Sequence, residues 1–155
     1  MATPTVYATF GSKRAILTVI SDELSDETRR VSGADGVFAL PDPRKQIAIL
    51  AHFQRVHGDL GGDVLQMVRG AALVDPAAAA VVRERDESRR GRARLLARAW
   101  KDQGALRAGL EVEKAVDILW MLSDPAFYWL LVRGCGWSGD AFERWLADEM
   151  AQVLV

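Results

Sequence analysis

The chain has 155 residues, of which 50% are hydrophobic and 26% charged, an ordinary composition for one globular domain with a sizeable core. Its 20 basic residues nearly balance 21 acidic ones, so any contact with nucleic acid must come from a local patch. Cys135 is the only cysteine, which excludes an internal disulfide and favours a reducing cytoplasm. No apolar run is long enough for a transmembrane helix, so we expect no membrane association.

The N-terminal residues predict a short helix followed by a longer one. Thr3 suits a helix cap and Pro4 suits the first helical position, where an N–H would have no partner. This helix is predicted to run to about Phe10, and Gly11 suits the left-handed residue that ends a helix. Ser12 can cap the next helix. A helix this short is unstable alone, so it needs neighbours to pack against.

The rest of the chain also has helical periodicity, which predicts an all-α bundle of about eight helices. One helix opens within PDP at 41–43, and the glycines at 58, 61 and 62 predict its end, before a short helix that begins at Asp63. The longest helix is predicted from Pro76 to about Gln103. Later helices follow Gly104 and cover Val112–Leu122, the segment after Asp124-Pro125, and the segment after Ser138.

The stretch TPTVYATFGSKRAIL carries a dense motif: a small or hydroxyl residue, Thr, an apolar residue, Tyr, Phe, a turn, Lys and an apolar pair. These positions are Thr3, Thr5, Val6, Tyr7, Phe10, Gly11-Ser12, Lys13 and Ile16-Leu17. The motif resembles the end of the DNA-binding domain of TetR (tetracycline-repressor-like) transcriptional regulators. The closing segment SDPAFYWLLVRGCGWSGDAFERWLADEMAQVL is similar to many C-termini of that family. The resemblance implies a partial helix-turn-helix domain over residues 1–12 and a ligand-binding and dimerisation domain over residues 13–155.

The resemblance also implies the residues that contact operator DNA. Thr3, Pro4, Thr5 and Tyr7 would face the major groove or its phosphates, and Lys13 would hold a phosphate beside a helix N-terminus. The alternative from periodicity is that they only start and pack a helix. Family members carry two more helices before this point. A start codon assigned too far downstream, a true truncation and a cut chain all remain open explanations.

Large, adaptable side chains on several helices suit an apolar ligand pocket, because aromatic faces and thioethers fit varied ligands. The family resemblance implies such a cavity between the long central helices, for a small apolar or aromatic effector. The alternative for each residue is that it fills the core. The candidate lining residues are Phe53, His57, Met67, Trp100, Trp120 and Met121.

The long central helix carries a polar stripe close to its apolar side. Arg85, Ser88, Arg89 and Arg92 make up this stripe, beside Leu96 and its apolar neighbours. Unpaired polar groups on a core-facing side are costly, so the stripe indicates a hydrated cavity. The alternative is a solvated face whose charges pair at four-residue spacing, Arg83 with Glu87 and Asp86 with Arg90.

The last two helical regions predict an interface, because they are apolar on more than one side and both sides must be buried. The resemblance implies a two-fold homodimer formed through a four-helix bundle, and two-fold dimers are the commonest soluble oligomers. Burial in the chain's own core is the alternative. The candidate interface residues are Val116, Leu119, Phe127, Leu130, Phe142, Trp145, Leu146 and Met150.

The sequence pairs no nucleophile with a base and has no phosphate-binding loop or metal-ligand spacing. We therefore expect neither an enzyme nor a cofactor or metal site. The resemblance implies a transcriptional regulator, most often a repressor, whose DNA binding is controlled by a small-molecule effector. The alternative is a ligand-binding and dimerisation module that does not bind DNA as the chain stands.

Overall fold

A computed structural model describes residues 11–155, and every regular element in this range is a helix. The all-α prediction is confirmed. The residues Thr3, Pro4, Thr5 and Tyr7, predicted to contact DNA, lie outside the described range. The elements in chain order are α1 (Lys13–Ser32), a 3₁₀ helix (Ala34–Ala39), α2 (Pro43–Ala71), α3 (Pro76–Asp102), α4 (Val112–Leu122), α5 (Pro125–Tyr128), a π-helix (Trp129–Gly134) that continues α5, and α6 (Gly139–Leu154).

Side-chain caps fix the starts of most of these helices, as the sequence predicts. Asp42, Asp75 and Asp124 each precede a proline and accept a hydrogen bond from a backbone N–H of the first turn. Ser12 and Ser138 cap α1 and α6 in the same way, at 3.1 Å from the N–H of the third residue along. These caps satisfy backbone donors that the helix itself leaves unpaired.

The helical backbone of α2 is interrupted at Gly61, within the glycine cluster predicted to end the helix, where φ is −146° and ψ is 15°. The chain kinks there and resumes as helix to Ala71, so the predicted short second helix is the C-terminal part of α2. A Cβ on Gly58 would lie 2.3 Å from the ring of Tyr128, and a Cβ on Gly61 would lie 2.2 Å from a methyl of Leu24. The glycines therefore let α1 and α5 approach α2 closely.

A buried amide joins three elements of the core. Gln46, on α2, is 2% exposed and donates from Nε2 to the carbonyls of Val37 at 3.0 Å and Leu40 at 2.9 Å. Its Oε1 accepts a hydrogen bond from the indole N–H of Trp100 on α3. Because each polar atom has a partner, these groups are buried without an unmet hydrogen bond.

Most residues of the predicted interface are buried within the chain itself. Five of its candidates are at most 2% exposed, because the chain's own helices already cover them, and they offer no surface to a partner: Val116, Leu119, Phe142, Leu146 and Met150. Leu130 is 58% exposed, and Phe127 and Trp145 are half-buried with ring centroids 6.0 Å apart. Trp137, which is 37% exposed, lies 6.0 Å from Trp145. The three rings contact one another in sequence, and together with the exposed Leu130 of the π-helix we call them the aromatic surface.

Within residues 11–155 no single helix is both long and apolar enough to cross a membrane. Val112–Leu122 and Pro125–Gly134 meet the length and composition requirements only as a pair, bent by 42°.

Substitution of Gly58 tests the close approach of α5 to α2. We expect Gly58→Ala to lower the free energy of unfolding by about 2 kcal/mol, because the new methyl overlaps the ring of Tyr128. Gly91→Ala, in the interior of α3 with nothing within 4 Å of the new Cβ, should instead raise it by about 0.5–1 kcal/mol. Urea denaturation measures both. Equal stabilisation by the two substitutions would contradict the packing described.

Candidate ligand-binding cavity

A cavity of about 210 Å³ lies where α1, α2 and α3 meet, and it is partly open. Its apolar wall comes from several helices, with Phe53 on α2, Val81 and Leu96 on α3, and Leu119 and Met150 behind them. Ligand sites are typically concave and mostly apolar, with a few polar groups that fix orientation. This cavity therefore has the general form of a small-molecule site.

The polar wall of the cavity is strongly basic. Five arginines line it and one acid, Asp86, accompanies them. Three of the arginines, at positions 85, 89 and 92, recur at four- and three-residue spacing, which places them on one side of α3. The predicted polar stripe thus faces a cavity, except that Ser88 lines a smaller neighbouring one. The other two arginines are Arg29 on α1 and Arg69 on α2.

A buried ion-pair network holds two of these arginines. Arg89 is 9% exposed, and it donates to the carbonyl of Ser123 at 3.1 Å and to Asp86 at 3.0 Å. Asp124 lies 3.1 Å from Arg89 and accepts two hydrogen bonds from Arg69, at 2.8 and 3.0 Å. Burial raises the pKa of Asp124, but the hydrogen bonds from Arg69 and the Ala126 N–H and the charge of Arg89 outweigh it, so the pKa is lowered.

Of the five cavity arginines, Arg92 is the one that pairs with no carboxylate of the described residues. Its Nη1 donates to the hydroxyl of Ser88 at 2.8 Å, and within residues 11–155 no carboxylate oxygen lies within 4 Å of its guanidinium. Partial burial and repulsion from Arg29, Arg85 and Arg89 lower the pKa of Arg92. A guanidinium nevertheless stays charged at neutral pH, so the cavity wall keeps an unbalanced positive charge.

His57 is a neutral polar group in this wall. It is 8% exposed and stacks on Phe53, with ring centroids 5.5 Å apart and planes at 14°. Thr28 donates its hydroxyl hydrogen to the Leu24 carbonyl at 2.6 Å, so the Thr28 oxygen accepts from His57 Nδ1 at 3.0 Å. Burial, together with the charges of Arg85 and Arg92, lowers the pKa of His57 to about 4. The neutral ring therefore carries its acceptor lone pair on Nε2.

Two of the six predicted pocket residues, Phe53 and His57, line the cavity. The other four do not. Trp100 is completely buried and bonded to Gln46 in the core, whereas Met67 and Met121 are 70% and 48% exposed. Trp120 is half-buried on the far side of the arginine stripe, where guanidiniums lie over its ring at 5.2 Å (Arg89) and 5.4 Å (Arg90) from its centroid. Such contacts stabilise the arginines through cation–π attraction.

Several polar residues of the cavity wall were not predicted from the sequence. Ser21 and Ser25 line it from α1, and each hydroxyl bonds back to a carbonyl of its own helix at 2.8 Å. Gln54 lines it from α2 and donates to the Ser123 carbonyl at 2.6 Å. The serines are four residues apart and Thr28 follows three later, the same spacing as the arginine stripe on α3. This repeated spacing of polar residues is the sequence signal that could have predicted the contribution of α1 to the cavity wall.

Ion pairs connect α1 to α3 beside the cavity. Lys13, predicted to hold a DNA phosphate, is the first residue of α1 and pairs with Asp75, the cap of α3. Arg14 pairs with Glu84, and Asp22 pairs with the cavity residue Arg85. The arginine-rich stretch of α3 is thus paired with neighbouring helices, and neither predicted pair, Arg83 with Glu87 or Asp86 with Arg90, forms within 4 Å in the described part of the chain.

Comparison with known protein families, with curated proteins and with solved structures finds no match for this chain. The geometry of the cavity is therefore the basis for inferring what it binds. In the described range, no group of three or more His, Cys, Asp or Glu side chains is arranged to hold a metal ion. The site is a small cavity with an apolar wall, a basic wall and the neutral imidazole of His57.

The burial of His57 predicts a pH-dependent stability. Because its pKa is about 4 in the folded chain and about 6.5 when unfolded, the unfolded chain binds more protons between these values. The free energy of unfolding should therefore fall by about 3 kcal/mol from this group as the pH drops from 6.5 to 4. His57→Asn, which keeps a donor near Nδ1 and does not titrate, should lack this component. Urea denaturation at several pH values measures it, and identical pH profiles for the two chains would contradict it.

Proposed function

We propose that the chain is a TetR-like transcriptional regulator, in the commonest form a repressor, whose DNA binding is controlled by a small molecule in the cavity. One observation carries the proposal: α1 supplies part of the cavity wall and begins directly after the stretch that resembles a recognition helix. A ligand that contacts Ser21, Ser25 or Arg29 therefore contacts the helix that leads to the DNA-binding segment.

The ion pairs that join α1 to α3 are weak enough to let α1 change its position. Lys13, Arg14 and Asp22 pair with residues of α3, and each pair has at least one partner that is more than half exposed. Exposed ion pairs contribute about 0–1 kcal/mol each, so they hold α1 without locking it. A ligand shifts the equilibrium between two positions of α1 only if it binds one of them more tightly.

The test of DNA binding uses the chain together with any in-frame residues encoded upstream of Met1. Selection from a randomised duplex library should recover a preferred site, and its affinity should fall steeply as salt is raised. Thr5→Ala and Tyr7→Ala should weaken binding by about tenfold or more, because each removes a predicted contact to DNA. Lys45→Ala, an exposed change on α2, is the control.

Failure of this longer chain to bind any duplex at low salt would overturn the proposal. If it bound small molecules in that case, the alternative of a ligand-binding module without DNA binding would be favoured.

The aromatic surface supports the homodimer that the family resemblance implies, since it exposes Leu130 and Trp137 and Trp137 packs against Trp145 of α6. We expect light scattering to give twice the mass of one chain at micromolar concentration. Leu130→Glu should shift the chain towards a monomer, because a charge would be buried without a partner. Leu95→Glu, on α3 and 61% exposed, should leave the mass unchanged. A monomeric parent chain would contradict the dimer.

A further inference from the structure

We propose that the cavity binds a small organic anion, a monocarboxylate with an apolar body, whose carboxylate is held by Arg85 and Arg92. The apolar body would lie against Phe53 and Leu96, which line the same cavity. This inference rests on the proposed function only in taking the cavity as the effector site. It replaces the apolar or aromatic effector of the sequence analysis with a charged class of ligand.

The wall of the cavity is positively charged. Five arginines line the cavity against one aspartate. Two acids that pair with Arg29, Asp26 and Asp35, do not line the cavity and have side chains 68% and 73% exposed. Asp22, which pairs with Arg85, is 57% exposed and also lies outside the wall. The surface that a ligand meets therefore has an excess of positive charge.

Two of the five cavity arginines are available to a ligand. Arg69 and Arg89 are both held by Asp124 and Asp86. Arg92 has only the Ser88 hydroxyl, and Arg85 has only a mostly exposed partner. Both of these arginines line the same cavity from one side of α3, two helical turns apart. A planar guanidinium binds a carboxylate through two parallel hydrogen bonds.

The volume of the cavity limits the size of the ligand, and the charge of the wall determines the charge of the ligand. A volume of about 210 Å³ lies below the roughly 300 Å³ at which sites for drug-sized ligands begin, so the ligand is small. One negative charge balances the one guanidinium that lacks a carboxylate. A neutral apolar ligand would instead remove water from Arg92 and offer it no hydrogen bond, which is unfavourable.

The test is calorimetric titration of the full chain at pH 7.5 with three probes of equal length: octanoate, octanamide and octylammonium. We expect octanoate to bind at least about tenfold more tightly than octanamide, since only octanoate makes charge-assisted hydrogen bonds. Octylammonium should show no binding. Equal or tighter binding of octanamide or octylammonium would overturn the inference, and so would the absence of binding by all three.

Two variants locate the site. Arg92→Met should weaken octanoate about tenfold and leave octanamide unchanged, because it keeps the length of the side chain and removes its charge. Arg83→Met is the matched control: Arg83 is exposed, does not line the cavity and, being nine residues away, lies on the opposite side of α3. Thermal unfolding confirms that both variants fold. Octanoate binding that is unchanged in Arg92→Met would overturn the inference.

The outcomes also separate this inference from the proposed function. If octanoate binding depends on Arg92 but octanoate leaves the DNA affinity of the longer chain unchanged, the anion site stands and the proposed regulation through this ligand class fails. If a neutral molecule releases the chain from DNA and octanoate does not bind, the regulation stands and the anion site fails.

Discussion

The buried guanidinium of Arg89 constrains the helices that surround it. A buried charge is tolerated only when its hydrogen bonds and its counter-charge are supplied nearby. Here the counter-charge comes from Asp86, 3.0 Å away on the same helix, and from Asp124, which also caps α5 and accepts two hydrogen bonds from Arg69 of α2. The Asp124 carboxylate, at the turn between α4 and α5, therefore joins α2, α3 and α5, and its removal would leave Arg69 without its two hydrogen bonds and Arg89 with Asp86 alone.

The same network explains why the helices enclose a cavity. Arg85 and Arg92 lie one turn before and one turn after Arg89 on the same side of α3, so they line the same cavity, but Asp124 serves neither of them. Apolar side chains of α2 and α3 that closed over these guanidiniums would desolvate them at a large cost. The cavity therefore remains between the helices, and the Arg92 side chain stays exposed. On the opposite wall Ser21 and Ser25 bond to their own helix and require no partner from the cavity.

Local features of the sequence predicted the parts of the structure that depend on local physics. The Asp-Pro pairs located the starts of α2, α3 and α5, and the spacing of Arg85, Arg89 and Arg92 predicted an inward polar stripe. Contacts distant in sequence decided the rest. The glycines at 58, 61 and 62 predicted the interruption of α2, but not that Leu24 of α1 packs against Gly61 at the kink.

Trp100 shows that contacts distant in sequence also decided which residues belong to the candidate site. Its size and helical position suit a pocket as well as a core, and only the amide of Gln46, 54 residues away, decides between them by accepting the indole N–H. Phe142 and Met150 looked available to a partner because α6 is apolar over a wide arc, yet the long helices of the same chain cover them. Periodicity gives the side of a helix that is buried but not the element that buries it.

Arg85 joins the proposed anion site to the proposed regulation, because it lines the cavity and pairs with Asp22 of α1. A carboxylate bound to Arg85 competes with Asp22 for the same donors and so weakens one of the three ion pairs between α1 and α3. An exposed pair contributes about 0–1 kcal/mol, which corresponds to at most about a fivefold change in DNA affinity. A larger response requires α1 to move as a whole. Its contact with the kink of α2, where Leu24 meets Gly61, is then the place where the motion must be accommodated.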